Sequence, residues 1–293
     1  MKIATLSDGS TMRVCVWHDN AWHALPTVPG QERGTLLAAL TEPASALARA
    51  RPLRSTSHLR LVMPYIPERD VFCLGKNYPA HAAEFARFSG DTETVPNDPV
   101  IFTKSKLALC GPTEELTVPK SLAGALDYEA ELVVVIGHGG AAIPAASALD
   151  HVAGYSVIND TTARDLQRAH AQWFLGKSLP RATPWGPVVV TPDELEPFAE
   201  REISATVNGE LRQSARLGEM IFPVQEAIAC ISRVLPLEAG DLIAMGTPNG
   251  VGVGFDPPRF LGDGDTVVCR VEGIGELRNS VKVRAVSPVG KSQ

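Results

Sequence analysis

The apolar run LVVVI at residues 132–136, as long as any uninterrupted apolar run in the chain, constrains the fold more than any other feature. It is far shorter than the roughly 20 residues that a helix needs to cross a bilayer. The run predicts a strand, and because every position is apolar, the strand is expected to be buried on both faces. A chain of 293 residues is long enough to enclose such a strand in a full core without the help of disulfides.

Short strand candidates recur along the chain, with few helices between them. The strand candidates are residues 2–6, 12–17, 21–25, 71–74, 100–103, 132–136, 155–158, 188–191 and 242–245, with further strands within 266–286. The helix candidates are residues 35–49, interrupted at Pro43, and residues 80–87, 145–151, 162–169 and 224–233. Asn208 and Gly209 predict a hairpin turn, because both take positive φ readily. This pattern predicts a strand-rich α+β fold.

Two prolines within residues 63–67 mark an expected boundary between two domains. Residues 1–66 are expected to form a small N-terminal α/β domain. Residues 67–293 are expected to form a larger, strand-rich domain that carries the chemistry.

Composition and charge exclude several classes of protein and of binding partner. Apolar residues make up 44% and charged residues 20%, which excludes a disordered or fibrous chain. Lys and Arg number 27 against 33 Asp and Glu, a formal charge of −6, and no basic run is present, so no nucleic acid partner is expected. The five cysteines are scattered without a C-x-x-C pair, and the first residues do not resemble a signal peptide. We expect a soluble, cytoplasmic protein with no membrane partner.

Paired carboxylates directly precede the apolar run. Glu129 and Glu131 alternate, so in a strand both side chains point to the same side. Asp160 follows another strand candidate and supplies a third carboxylate. Such a set suits a hard divalent ion such as Mg²⁺ or Mn²⁺. The alternatives are a solvated strand end for the two glutamates and a helix N-cap for Asp160.

A second group of polar residues follows the strand candidate at 71–74. His81 and Glu84 are three residues apart and share a face of the predicted helix. A carboxylate beside an imidazole raises its basicity and fixes its tautomer, as a general base requires. The alternative is a surface ion pair. The polar segment 87–98 is a candidate for a mobile lid.

Glycines are concentrated in GTPNGVGVG, residues 246–254. The G-x-G-x-x-G spacing of dinucleotide sites is absent, so a Rossmann site is rejected. The segment is expected to be a backbone turn close to a small ligand, with the Thr247 hydroxyl as a hydrogen-bond donor.

Taken in order, these segments resemble the fumarylacetoacetate hydrolase family, in particular its longer bacterial members with an extra N-terminal domain. The matching pieces are GKNYPAHAAEF, PVIFTKS, LDYEAELVVVIG, GYSVINDTTARDLQ, GKS, WGPVVVT, VNGELRQ, GEMIFPVQEAIACISR, GTPNGVG and GDTVVCRVEGIGELRNSV. The resemblance implies a mixed β-sandwich roll, a homodimer and a Mg²⁺ or Mn²⁺ site.

The resemblance also implies a role for individual residues. The implied metal ligands are Glu129, Glu131 and Asp160. The implied catalytic residues are His81, Glu84 and Lys177, the lysine stabilising an oxyanion. The implied substrate-binding residues are Lys104, Arg164, Gln167 and Thr247.

The lead hypothesis for function is metal-dependent hydrolysis of a C–C bond in a 1,3-dioxo acid. The substrate would be an acylpyruvate or a fumarylpyruvate-like product of aromatic catabolism. The rivals are decarboxylation of an oxaloacetate-type acid, isomerisation of a 2-hydroxydienedioate and, less favoured, ureidoglycolate cleavage. The alternative to an enzyme is a catalytically silent homologue that binds a metal or a ligand without turnover.

The chain departs from the family pattern in two places, a three-residue segment and one single position. Relatives usually continue from GKS with an aromatic residue and an Asp, whereas this chain has Leu179-Pro180-Arg181. Arg181 is a candidate partner for a second substrate carboxylate, with a solvated surface arginine as the alternative. Trp185 stands where a smaller apolar residue is usual.

Overall fold

The structure is a computed structural model that describes residues 1–89 and 95–285. The α-helices are α1 (Glu32–Thr41), α2 (Pro43–Arg49), α3 (Pro79–Ser89), α4 (Arg164–Ala169), α5 (Phe174–Lys177) and α6 (Val224–Ser232). The strands are β1 (Lys2–Ser7), β2 (Met12–His18), β3 (Ala21–Ala24), β4 (Arg51–Pro52), β5 (Arg60–Val62), β6 (Val71–Gly75), β7 (Val100–Lys104), β8 (Leu109–Cys110), β9 (Leu116–Pro119), β10 (Leu126–Asp127), β11 (Ala130–Ile136), β12 (Val152–Asn159), β13 (Thr162–Ala163), β14 (Thr183–Val190), β15 (Glu202–Val207), β16 (Glu210–Arg216), β17 (Leu242–Ala244), β18 (Thr266–Val271) and β19 (Gly275–Arg284).

The strand β11, which carries the apolar run, lies inside a 12-stranded mixed sheet. The order along the sheet is β4-β3-β2-β1-β14-β12-β11-β17-β6-β7, with β5 on β1 and β8 on β14. β11 pairs antiparallel with both β12 and β17, and every residue from Ala130 to Ile136 is buried. The prediction of a strand buried on both faces is therefore confirmed.

The alternating side chains of β11 enter two different cores. Leu132 and Val134 pack in the core shared with the five-stranded sheet β16-β15-β18-β19-β9. Val133 and Val135 pack in a second core that also contains Ile3 from the N-terminal segment. Because the first core is shared by both sheets, they form a strand-rich sandwich with a few covering helices. The predicted α+β class is confirmed.

The N-terminal strands extend the large sheet instead of forming a sheet of their own. β1 pairs antiparallel with β14, with Lys2 opposite Val190. Trp185 of β14 is fully buried, and its ring lies edge-on to that of Tyr65 at 5.0 Å between centroids. The larger side chain at this position therefore fills the contact with the N-terminal segment. The domain boundary at residue 66 stays a prediction.

Several local predictions are confirmed and two are corrected. α1 ends at Thr41 and α2 begins at Pro43, because proline fits the first turn of a helix and not its interior. Asn208 and Gly209 have φ of 52° and 82° in the β15–β16 hairpin. The predicted helix at 145–151 is a 3₁₀ helix, and the predicted helix at 162–169 begins only at Arg164, after a two-residue strand.

Candidate metal centre and active site

Adjacent strands bring the three acidic side chains together. Glu131 lies in β11, Glu129 directly precedes that strand, and Asp160 directly follows its partner β12. The Asp160 amide donates to the Glu129 carbonyl at 2.8 Å, which holds these two backbone segments side by side. One carboxylate oxygen from each of the three residues lies within 4.8 Å of the other two.

Burial decides between the alternative interpretations of these residues. Glu129, Glu131 and Asp160 are 4%, 1% and 0% exposed, so the two glutamates do not form a solvated strand end. The N-cap of α4 is Ala163, and the Asp160 carboxylate instead accepts from two lysines. The cluster is thus a group of carboxylates withdrawn from water, an arrangement that requires compensating positive charge.

Three buried cations surround the carboxylates. Lys177 Nζ lies 2.6 Å from Glu129 Oε2 and 2.7 Å from Asp160 Oδ2. Lys104 Nζ lies 2.5 Å from Asp160 Oδ1 and donates to the Thr161 carbonyl. Arg164 reaches Glu129 Oε1 at 2.7 Å.

The two glutamates differ in electrostatic environment. Burial raises the pKa of Glu129, but Lys177 and Arg164 outweigh it and bring that pKa to about 2. Burial raises the pKa of Glu131 well above its usual range, and the charges of Asp160 and Glu129 raise it further. Its Oε2 accepts one backbone hydrogen bond, from the amide of Gly246 at 2.9 Å. Glu131 is therefore the carboxylate whose charge is least compensated by the protein.

His81 and Glu84 lie on α3 beside this cluster. Nδ1 of His81 is 3.1 Å from Oε2 of Glu84, and both side chains are buried, so the pair is not a surface ion pair. Glu84 Oε1 also accepts from the Gly250 amide at 3.0 Å. A Cβ on Gly254 would overlap the Glu84 carboxylate. The glycine-rich segment can therefore approach the pair of His81 and Glu84, called the dyad below, only because residue 254 has no side chain. Of the proposed lid at 87–98, residues 90–94 lie outside the described residues.

A small cavity lies between the acidic cluster and the pair of His81 and Glu84. Its lining residues are Leu74, Gly75, Lys76, His81, Phe85, Phe102, Glu129, Glu131, Arg164, Gln167, Trp173, Lys177 and Thr247. Trp173 stacks at an angle against Phe85 and Phe102, with ring centroids 5.5 Å and 5.2 Å away, and forms an aromatic wall. Thr247 is positioned by Gln213, whose amide donates to its hydroxyl at 2.7 Å.

The residues singled out from the sequence occupy two layers. Those that line the cavity are His81, Glu129, Glu131, Arg164, Gln167, Lys177 and Thr247. Glu84 lies behind His81, while Lys104 is fully buried against Asp160 and does not line the cavity. The Arg181 side chain is 65% exposed and pairs with Glu114 at the surface, so it is not placed to hold a substrate carboxylate in this cavity.

Sequence reasoning missed part of the site. Lys76, Trp173 and the two phenylalanines carry no motif that distinguishes a cavity wall from ordinary core. Asp127 was also missed, although the sequence contains a signal for it: it precedes Glu129 and Glu131 at the same alternating spacing. Its carboxylate is fully buried and bonds to Arg164 at 2.8 Å.

The donor set fits a hard divalent cation. All three groups offer carboxylate oxygens, which are the ligands that Mg²⁺ and Mn²⁺ prefer. Two metal–oxygen bonds placed end to end span about 4–5 Å, which matches the 4.8 Å limit on the oxygen separations. Glu129, Glu131 and Asp160 are thus able to hold one ion with modest side-chain adjustment.

The strand sandwich and its carboxylate cluster define a class, the α+β proteins with a buried acidic site beside a histidine–glutamate pair. Comparison with known proteins makes this assignment specific: the chain belongs to the fumarylacetoacetate hydrolase family. Residues 70–282 match the model of the fumarylacetoacetate (FAA) hydrolase C-terminal domain. The resemblance deduced from the motifs is therefore confirmed.

Three relatives bear on the chemistry. Oxaloacetate tautomerase YisK of Bacillus subtilis is 40% identical over 273 residues, which are 88% of each chain. A fumarylacetoacetate hydrolase from Exiguobacterium antarcticum superimposes with a TM-score of 0.83 at 39% identity, over 97% of this chain and 100% of that one. Fumarylpyruvate hydrolase from Pseudomonas aeruginosa, solved with Mn²⁺ and pyruvate, gives 0.64 at 34% identity over 75% and 91%.

Among residues 1–89 and 95–285, no helix combines the length and the apolar character needed to span a bilayer.

Proposed function

We propose that this protein is a divalent-metal-dependent enzyme that interconverts the keto and enol forms of a small 2-oxo dicarboxylic acid, with oxaloacetate as the lead substrate. The observation that carries the proposal is the placement of His81 on the same small cavity as the carboxylate cluster. The relative named oxaloacetate tautomerase, which is similar over most of both chains, supports this substrate.

The metal ligands in this proposal are Glu129, Glu131 and Asp160. Mg²⁺ or Mn²⁺ held there would supply Lewis-acid polarisation of the 2-oxo group. Lys177 contributes positive charge at the same wall of the cavity, since its ammonium group bridges Glu129 and Asp160. Lys104 has no surface in the cavity, and we assign it to holding Asp160 instead of contacting the substrate.

His81 is the proposed proton carrier. Because Glu84 engages Nδ1, the other ring nitrogen is the one available to a substrate in the cavity. In the keto-to-enol direction His81 removes a proton from C3, the electron pair of the broken C–H bond becomes the C2–C3 double bond, and the imidazolium returns the proton to the carbonyl oxygen. The reverse steps convert the enol to the keto acid. Glu84 stabilises the imidazolium that forms.

The remaining polar groups of the cavity are proposed to bind the substrate. Arg164 and Gln167 stand on one turn of α4, with Nη1 of the arginine 3.0 Å from Oε1 of the glutamine. Thr247 offers a hydroxyl from the glycine-rich segment, and Lys76 adds a third cation to the lining. Cations at more than one wall suit a substrate with two carboxylates.

Hydrolysis of an acylpyruvate, including a fumarylpyruvate-like product of aromatic catabolism, is the second candidate. The relative solved with Mn²⁺ and pyruvate favours it. In that reaction His81 and Glu84 would activate a water molecule for attack on the distal carbonyl, with pyruvate leaving as its enol. Both candidates use the same cation site and differ only in what the dyad deprotonates.

The test follows the ultraviolet absorbance of enol-oxaloacetate with protein loaded with Mn²⁺ or Mg²⁺. We expect faster conversion to the keto form without release of CO₂, and loss of that acceleration in EDTA and in Glu131→Ala. Release of pyruvate and a second acid from acylpyruvates, without accelerated tautomerisation, would establish the hydrolase instead. Release of CO₂ would identify a decarboxylase. No turnover of any of these acids by metal-loaded protein would refute both proposals.

Two further properties extend the proposal. The family resemblance supports a homodimer, and the scattered free cysteines support a cytoplasmic setting. Sedimentation of the purified protein tests the dimer.

A further inference from the structure

Asp127 is a fourth fully buried carboxylate beside the acidic cluster. Its Oδ1 accepts from the amides of Tyr128 at 2.9 Å and Gly252 at 2.6 Å. Its Oδ2 accepts from the amide of Val253 at 3.0 Å and from Nε of Arg164 at 2.8 Å. Four donors on one carboxylate make it an anion whose charge and position are both held firmly.

We propose that Asp127 is a positioning residue that sets the affinity of the site for its divalent cation by neutralising Arg164. The inference rests on the proposed function, because it assumes that Glu129, Glu131 and Asp160 bind a metal. Asp127 itself lines no part of the cavity and acts through the arginine.

Arg164 divides its guanidinium between two carboxylates: Nε faces Asp127, while Nη2 lies 2.7 Å from Glu129 Oε1. Without the Asp127 charge, the whole positive charge of Arg164 would fall on Glu129. An arginine that is paired with a ligand alone competes with the metal for that ligand.

The charge balance of the buried cluster also supports this role for Asp127. Its carboxylates are Asp127, Glu129, Glu131 and Asp160, and its cations are Lys104, Arg164 and Lys177. With all four carboxylates ionised, as metal binding requires, these four anions and three cations leave a formal charge of −1 in a region shielded from water. Removing the Asp127 charge makes the cluster formally neutral, and a neutral cluster no longer attracts a divalent cation over distance.

Asp127 also joins the metal side of the site to the side that carries the general base. The amides of Gly252 and Val253 belong to the glycine-rich segment, and the Gly250 amide of that segment holds Glu84. A Cβ on Gly252 would come within 2.7 Å of Asp127 Oδ1, so the close approach requires glycine. One carboxylate therefore locates both the arginine beside Glu129 and the backbone beside Glu84.

The experiment measures the Mn²⁺ dissociation constant of metal-free protein by calorimetry. Asp127→Asn is nearly isosteric and removes the charge, and its amide nitrogen also replaces the acceptor of two of the four hydrogen bonds. We expect binding to weaken about 10–100-fold, the usual effect of changing a group behind a metal ligand. Arg164→Gln should act in the opposite direction and tighten Mn²⁺ binding several-fold. In the double variant, Arg164→Gln should restore much of the affinity that Asp127→Asn loses.

The control is Asp165→Asn, an exposed aspartate next to Arg164 that should leave the dissociation constant unchanged. A merely structural role for Asp127 predicts that Arg164→Gln weakens binding and that the double variant is worse than either single one. That outcome, or equal affinity of Asp127→Asn and the unaltered protein, would overturn the inference. If Asp127→Asn does not fold, the direction of the Arg164→Gln effect decides alone.

The two proposals fail in different ways. The metal site is wrong, and with it the proposed function, if the unaltered protein binds no Mn²⁺. The same conclusion follows if Glu131→Gln binds Mn²⁺ as tightly as the unaltered protein does. If the protein binds Mn²⁺ through Glu131 but Asp127→Asn binds it equally well, only the role of Asp127 is refuted.

Discussion

The ammonium group of Lys177 lies 2.6 Å from Oε2 of Glu129, and both side chains are buried. Burial lowers the pKa of Lys177, but the charges of Asp160 and Glu129 outweigh it and raise that pKa above its usual value. The lysine therefore stays charged in the interior, where it compensates two carboxylates. A metal ion bound by Glu129 and Asp160 would compensate the same carboxylates as Lys177, which has consequences for stability as well as for activity.

Lys177→Met is expected to destabilise the metal-free protein by about 3–5 kcal/mol, because it leaves buried carboxylates without their cation. Bound Mn²⁺ supplies the missing charge, so the rise in melting temperature on adding Mn²⁺ should be larger in the variant than in the unaltered protein. Thermal unfolding with and without Mn²⁺ measures both effects. Lys120→Met, at an exposed lysine, is the control and should change neither. An equal rise in both proteins would show that the lysine does not compensate the metal ligands.

The stabilising effect of Mn²⁺ is expected to grow with pH. The raised pKa of Glu131 means that its carboxyl retains a proton in the metal-free fold above the ordinary range. Such a group stabilises the fold below its unfolded pKa and loses that contribution as pH rises through the folded pKa. Metal binding removes the penalty, so the melting-temperature gain should be larger at about pH 8 than at about pH 6. Glu131→Gln should abolish this difference, and a gain that is independent of pH in the unaltered protein would contradict the prediction.

Substitutions at His81 and Glu84 are expected to lower the catalytic rate without weakening metal binding. His81→Asn and Glu84→Gln should each lower kcat about 10²–10⁴-fold, since proton transfer by a positioned side chain contributes that much. Neither residue is a proposed ligand, so the Mn²⁺ dissociation constant should stay within about threefold of the original. His58→Asn alters an exposed histidine and should leave kcat unchanged. Loss of Mn²⁺ binding in His81→Asn would instead place the histidine at the metal.

Lys76 is expected to favour a substrate with two carboxylates over a substrate with one. It lines the cavity with φ of 56°, in the turn between β6 and α3, and its Nζ lies 5.0 Å from the centre of the Phe85 ring. Lys76→Met should raise the KM for oxaloacetate about 10–100-fold, the worth of one charged hydrogen bond. The KM for an acylpyruvate with one carboxylate should change far less. Lys106→Met, whose Nζ bonds at the exposed surface, is the matched control. Equal effects on both substrates would remove Lys76 from recognition of the second carboxylate.

Some of the site follows from local sequence pattern. The alternation of Glu129 and Glu131 before LVVVI indicates a strand with two carboxylates at its start, and the spacing of His81 and Glu84 indicates a shared helical face. These relationships depend only on the period of a strand or a helix. The same is true of the break at Pro43 and of the turn at Asn208-Gly209, where the residue type restricts the backbone directly.

What the sequence determined by itself is therefore the class of the fold, the order of its motifs and the types of side chain that carry charge. Only the tertiary structure decided that these charges meet in the interior. Pairing of β11 with β12 brings Asp160 to Glu129, and helix α5 delivers Lys177 from 48 positions away in the chain. Asp127 shows the limit most clearly, because its spacing was visible but its partners Gly252 and Val253 were not. Local periodicity specifies direction along one element, whereas burial and charge compensation arise from packing between elements that are distant in sequence.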